Sequence, residues 1–304
     1  MSQPEFTVTL LHPRYWLTWF SLLLMAAIAQ LPYRWQVLLG RKLGLLMLQF
    51  ANKRREIAER NLHICFPDMS TAARKQLLKK NFEVYGLAVF ETGMAWFMPP
   101  SRLQQLFTIK GQQHWENLRG KGALVIGMHF PTLEICNVAI NQLFDLNLIY
   151  KPHKNPVYDY VQRVCRARHN SNSKVIARDD IRAIVKTLKA GQWVWYAPDQ
   201  DYGRKYSEFI PWFGVPAATV TATPKLAAMS KAPVIAVSHH HKADFSGYEI
   251  ELHPVFDGFP SDDKNADLLR INQFIEQCVR QRPEEYLWVH RRFKTRPDGE
   301  VAVY

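Results

Sequence analysis

Apolar and polar positions change their period several times along the chain. From Trp16 to Pro32 (WLTWFSLLLMAAIAQLP) no charge interrupts an apolar run in which only Thr18, Ser21 and Gln30 are markedly polar. As a helix this run would rise roughly 25 Å, slightly short of a hydrocarbon core of about 30 Å, so its flanks would have to complete a span. A second apolar stretch, Val37 to Phe50, follows, and no A-x-A-like site comes after Ala29. An N-terminal hydrophobic membrane-anchor helix is therefore expected rather than a cleaved signal peptide, with a buried core helix as the competing reading. Residues 53 to 98 alternate charged and apolar positions at helical spacing, and Ser70 is placed to cap the second helix of that region.

From residue 121 the texture changes to short β-rich runs separated by helical ones. KGALVIGMHF reads as a buried strand, TLEICNVAINQLF as a helix, LNLIYKP as a strand and NPVYDYVQRVCRARHN as a helix; SKVIA, DDIRAIVKTLKAG and QWVWYAPDQ repeat the pattern. APVIAVSHHH and GYEIELHPVF read as adjacent strands, and DLLRINQFIEQCVRQRPEEY as a last helix before a strand-like LWVH. The alternation predicts an α/β fold with a central mixed, mostly parallel sheet flanked by helices. The organisation expected is an anchor and apolar lead-in over residues 1–50 and a catalytic domain over 51–304, helical to residue 100 and α/β from 101.

Composition narrows the function. The chain has 304 residues, 47% hydrophobic and 22% charged, which is a globular and not a disordered profile. Cys65, Cys136, Cys165 and Cys278 stand singly with no CxxC pair, so neither a disulfide scaffold nor a zinc ribbon is indicated. A net charge of +12 demands an anionic partner: nucleic acid, acidic lipid or an acidic protein. Arg34, Arg41, Lys42, Lys53, Arg54 and Arg55 follow the first apolar run while only Arg14 closely precedes it, which by the positive-inside rule puts the body of the protein in the cytoplasm.

In open α/β sheets chemistry collects beyond the carboxyl ends of the strands, and two strand ends carry titratable groups: Met128-His129-Phe130 and Ala197-Pro198-Asp199-Gln200-Asp201. Glu134 follows His129 by five residues. With 11 His and 27 acidic residues, about one such pair arises by chance, and the chain contains two others, His63/Asp68 and His239/Asp244. Only His129 joins an apolar strand to a helix. There an imidazole can face a cleft while a carboxylate one turn away accepts its Nδ1 hydrogen, leaving Nε2 as a base able to deprotonate a hydroxyl.

These residues carry a family resemblance. HFPTLE, together with LHPRYWLTW, NLHICFPDMS, ETGMAWF, WYAPDQDYGRK and HRRFKTRP, resembles the late acyltransferases of lipid A biosynthesis in Gram-negative bacteria, from about residue 8 to 304. APDQDYGRK, KADFSGY and RRFKTRP favour the lauroyl and palmitoleoyl branch over the myristoyl one. The resemblance implies transfer of a fatty acyl group from acyl carrier protein to the 3-hydroxyl of an acyl chain on a Kdo-bearing tetraacylated lipid A precursor. It implies direct transfer without an acyl-enzyme and without metal or cofactor; with the apolar run and its flanking charges, the expected place is the bacterial inner membrane, with a single-pass anchor and the catalytic domain on the cytoplasmic face. The family's H-x4-D/E motif falls on His129, as general base, and Glu134, which would orient it. Its functional Arg matches Arg166 and the Asp of its APD motif matches Asp199. Pro131 stands where relatives carry Leu, HNSNSK after Arg168 is two residues longer than the family's RSNK, and YKPHKNP replaces a more usual YRPNDNP.

The remaining candidates are basic or flank the motifs. Arg168, Asp201, Arg204 and Lys205 are expected to bind substrate, as are Arg291 and Arg292, pinned by LWVH to the sheet where they would meet phosphate or Kdo carboxylate. His239, His240 and His241 invite a metal, but alternate strand residues point to opposite faces, so a solvated strand end is the expected reading. Two other functions compete. Nucleic-acid binding has only the +12 charge in its favour. An acyl thioesterase could use the same His/Glu pair, although there is no G-x-S-x-G elbow. Another membrane-associated lipid or phospholipid acyltransferase stands beside these.

Overall fold

A computed structural model describes residues 5–170 and 172–304; Ser171, in the lengthened loop after Arg168, lies outside the described residues. Helices α1 (Trp16–Ile28), α2 (Tyr33–Phe50), α3 (Asn52–Cys65) and α4 (Thr71–Phe97) come first, followed by α5 (Pro100–Gln104), β1 (Phe107–Lys110) and α6 (Gln112–Glu116). The alternating region is β2 (Ala123–Ile126), α7 (Leu133–Asn141), β3 (Leu146–Tyr150), α8 (Pro156–Ala167), β4 (Val175–Ala177), α9 (Ile181–Lys189) and β5 (Trp193–Tyr196). Then come β6 (Ser207–Trp212), β7 (Val215–Val220), α10 (Ala222–Ser230), β8 (Val234–His241), β9 (Tyr248–Leu252) and α11 (Lys264–Gln281).

The expected sheet is present, with strand order β1-β9-β8-β2-β5-β3-β4. All neighbours are parallel except β8 and β9, which pair antiparallel as consecutive strands. All four residues of β2 (ALVI) are buried, as a strand covered on both faces requires. Ser70 caps α4 as expected, accepting from Ala73 N–H, and polar side chains start two further helices: Asn155 accepts from Val157 and Tyr158 N–H, and Asp180 from Ala183 N–H. The β6–β7 hairpin is a separate two-stranded unit that the periodicity does not reveal. LWVH is no strand: Leu287–His290 is irregular, and the carbonyls of Trp288, Val289 and His290 accept from side chains of α3 instead of a sheet partner.

The N-terminal helices correct the anchor expectation. The chain leaves the helix at Ala29 and turns at Pro32, so α1 has 13 residues, roughly 20 Å of rise, and α2 brings Arg34, Arg41 and Lys42. Among the described residues no helix is long and apolar enough to cross a membrane. Both helices instead pack on α4. Gly40 and Gly44 of α2 meet Gly86 of α4 so closely that a Cβ on Gly86 would lie 2.2 Å from Gly44 N. Their other faces stay open: Trp16, Leu17, Phe20 and Leu23 are each more than 60% exposed.

Candidate active site

Strand register brings the site together. β2 lies between β5 and β8, with Ile126 opposite Tyr196 on one side and Ala236 on the other. Three residues beyond each of these paired positions stand His129, Asp199 and His239, so three parallel strands deliver their polar residues to one level. Gly127 lets the row close up, because a Cβ there would lie 2.3 Å from the Trp195 indole nitrogen.

Asp199 holds His129 at two points. Its Oδ1 lies 2.6 Å from His129 Nδ1, and its Oδ2 accepts from the His129 backbone N–H at 2.9 Å. The carboxylate is buried. Burial alone would raise its pKa, but the facing His129 outweighs that and holds it below the usual carboxylate range. A carboxylate at Nδ1 fixes the tautomer in which Nε2 can accept a proton, and the His129 side chain is 26% exposed. The pair can therefore take a proton from a hydroxyl and hold the resulting imidazolium.

Glu134 does not occupy the orienting position the sequence suggests for it. In the first turn of α7 it is directed toward α8 and α4, where Arg166 grips it through Nε, at 3.1 Å to each oxygen, and through Nη2; Trp96 Nε1 donates to it at 3.3 Å. Burial would lower the Arg166 pKa, but the Glu134 carboxylate more than reverses this, and the guanidinium is firmly charged. The five-residue spacing fits a turn in which both side chains face one cleft. The Phe130–Pro131–Thr132 approach to α7 separates them, and Asp199, from the neighbouring strand, is nearer.

His239 stands behind the pair, its Nδ1 2.7 Å from the Thr132 hydroxyl at the start of α7. Burial, helped by neighbouring His240, pushes its pKa down to about 3, so it is a neutral strut. The expected solvated strand end is thus corrected: His239 and His241 are buried, and only His240 is turned outward. Among the described residues no group of three or more His, Cys, Asp or Glu side chains is arranged to hold a metal ion.

The basic candidates divide. Arg204 and Lys205 are exposed beyond the Asp199 loop, Arg204 pairing with Asp298 at 3.1 Å, and Arg291 is exposed as well. Arg292 departs from expectation: it is 1% exposed, donates to Ala218 O and Thr219 Oγ1, and lies under the Trp212 ring, so it ties the C-terminal segment to β7 and cannot meet a ligand. Asp201 is likewise internal, accepting from Gly203 N–H and from both Thr295 N–H and Thr295 Oγ1. Arg168 lies away from His129, donating to Met98 O.

Two groups at the site escape the sequence reading. Tyr286 donates to Asp199 O at 3.2 Å, and His290 Nε2 accepts from Asp201 N–H at 3.1 Å. His290 opens the HRRFKTRP motif, and its place as the first residue of that motif is the sequence signal for it.

Comparison with known proteins gives the site its setting. The profile of the family described as bacterial lipid A biosynthesis acyltransferase matches residues 3–295. The lipid A biosynthesis palmitoleoyltransferase of Escherichia coli (strain K12) is 41% identical, over 99% of this chain and 99% of its own length. The lauroyltransferase of the same organism is 40% identical over the same shares, and its myristoyltransferase 28% identical over 99% and 94%. With a profile spanning nearly the whole chain and relatives aligned end to end, the chain belongs to the bacterial lipid A biosynthesis acyltransferase family.

Proposed function

We propose that this enzyme transfers a fatty acyl group, lauroyl or similar, from acyl carrier protein to a hydroxyacyl chain of a Kdo-linked tetraacylated lipid A precursor. The observation that carries the reading is the two-point hold of Asp199 on His129, which leaves Nε2 available at the strand end. His129 Nε2 removes the acceptor's hydroxyl proton. The alkoxide attacks the thioester carbonyl carbon, forming the C–O bond and moving the carbonyl π pair onto oxygen. Collapse breaks the C–S bond, and the leaving thiolate takes the proton from the imidazolium. Asp199 stabilises that imidazolium. Arg166, held by Glu134, supplies a fixed positive charge for an oxyanion or a phosphate. Arg204, Lys205 and Arg291 suit phosphate or Kdo carboxylate from the surface.

Purified enzyme given labelled acyl carrier protein thioesters of C10 to C16 and the tetraacylated precursor should yield, by mass spectrometry, a lipid heavier by one acyl chain. Free fatty acid alone would mean hydrolysis, the thioesterase reading. His129→Ala should lower turnover by about 10² to 10⁴, the range for loss of a general base. Near-normal turnover would remove His129 from that role.

The exposed apolar face of α1 and α2 supports attachment at the inner membrane by lying in the interface, its apolar side chains among the acyl chains and Arg14, Arg34 and Lys42 at anionic headgroups. Vesicles containing phosphatidylglycerol should sediment the enzyme. The Phe20→Asp/Leu24→Asp variant should stay in the supernatant; equal sedimentation would refute this placement.

A further inference from the structure

The short loop after β5 holds two histidines, not one. The Asp199 side chain grips His129, and two residues on, the Asp201 backbone N–H donates to His290 Nε2. Alpha carbons two residues apart are at most about 7 Å apart, so both imidazoles are moored to one small stretch of backbone. Because Nε2 of His290 accepts a hydrogen bond, its ring proton resides on Nδ1. That N–H meets no acceptor among the described residues and is not sealed in the interior. The ring is half-buried. It is also rigidly mounted. Asn61 donates to the His290 carbonyl at 2.8 Å and to that of Trp288 at 2.6 Å, Arg54 donates to Val289 O, and Thr295 closes onto Asp201 from beyond. Such bracing suits a fixed dipole, which has no reorganisation to undergo during reaction.

We propose that His290 is a second catalytic histidine, a neutral Nδ1–H donor to the thioester carbonyl oxygen as negative charge develops on it, while His129 takes the acceptor's proton. The assignment rests on the acyl-transfer reading above. Neutrality matters: a charged imidazolium there would compete with His129 for Asp199. Burial is the main force pushing the His290 pKa down, to about 4, with Asp199 opposing it and His129 and Arg292 reinforcing it. The ring is therefore uncharged across the neutral range. A neutral imidazole polarising a carbonyl is an established catalytic device.

The two ring nitrogens can be replaced one at a time. His290→Gln keeps an acceptor for Asp201 N–H at the Nε2 position but removes the Nδ1 donor. It should lose about 10² to 10³ in kcat, the range for one oxyanion donor, with KM little changed. His290→Asn puts an amide N–H near the Nδ1 position and should stay within about tenfold of wild type. A Gln variant as fast as wild type would overturn the proposal. So would an Asn variant that melts like wild type yet is as slow as Gln. Nitrogen-15 NMR of the unmodified enzyme tests the tautomer directly: a proton on Nδ1 near pH 7 is expected, and a proton on Nε2 or a doubly protonated ring overturns the assignment. The two readings fail separately. Normal turnover in His129→Ala sinks the general base, whereas normal turnover in His290→Gln alongside a slow His129→Ala sinks only the donor.

Discussion

Asp199→Asn should reduce turnover by about 10² to 10⁴ with the fold intact, a loss as large as that of His129→Ala. Both oxygens of Asp199 accept hydrogen bonds from His129, one from the ring and one from the backbone. An amide has one acceptor oxygen and one donor NH2, so it can satisfy only one of these bonds. If the oxygen keeps the backbone N–H, the NH2 faces Nδ1 and selects the tautomer with the proton on Nε2, which cannot act as a base. If the oxygen keeps Nδ1, the backbone N–H loses its partner and the imidazolium its counter-charge. Glu134→Gln should behave differently. It leaves this hold in place and weakens the grip on Arg166, so its pH–rate profile should keep the shape of wild type while the rate falls. Should Asp199→Asn turn over normally and Glu134→Gln change the acidic limb of the profile, where a general base titrates, Glu134 would be the partner of His129 during catalysis after all.

His241→Ala should destabilise the protein by about 3–5 kcal/mol, a large share of the about 5–15 kcal/mol that holds an ordinary domain together. His241 is buried between two carboxylates, with Glu91 Oε1 2.6 Å from Nε2 and Glu285 Oε2 3.0 Å from Nδ1, and Glu285 Oε1 also accepts the His241 backbone N–H. Removing the imidazole leaves two buried acids facing each other. Burial by itself would lower the pKa of His241, but Glu285 and Glu91 overcome it and lift the value to about 10. A histidine whose folded pKa exceeds its unfolded one contributes stability that is complete below the ordinary value near 6.5 and is lost as pH rises through the folded value. The melting temperature should therefore decline from about pH 7 toward pH 10, and this slope should be shallower in Glu285→Gln, where one of the two attracting charges is gone. Chemical denaturation across that range checks the sign; a flat profile in both proteins would mean that His241 is neutral.

Much of the fold was legible because burial writes a period into the sequence. ALVI, LNLIY, WVWY and VIAV are too apolar for a half-solvated sheet, and the cap Ser70 marks a helix start through a purely local bond. The Trp16–Pro32 run misled for a related reason: hydropathy reports that side chains avoid water without saying whether protein or lipid receives them. The chain leaves α1 at Ala29 and Pro32 starts α2, and packing on Gly86 of α4 takes up one face of α2, so the remaining apolar surface is a face and not a span. Arg292 misled in the opposite sense, since charge predicts exposure and only the Trp212 ring and the carbonyl of Ala218 show where that guanidinium lies.

The sequence by itself determined that His129 closes an apolar strand and that acids and bases gather at strand ends. Which acid serves which histidine was decided by register, a pairing between residues 70 positions apart that no local spacing encodes. The two clamped histidines make the point. In each, a carboxylate takes both the backbone N–H and Nδ1 of the ring, Asp199 for His129 and Glu285 for His241. At His241 a second carboxylate from α4 closes off Nε2 in the dry interior and makes the ring a structural ion. At His129 the Nε2 side reaches the surface, and an equally held ring is left able to take a proton. Residue type is common to both; the surroundings of a single nitrogen, set only when the chain folds, separate base from strut.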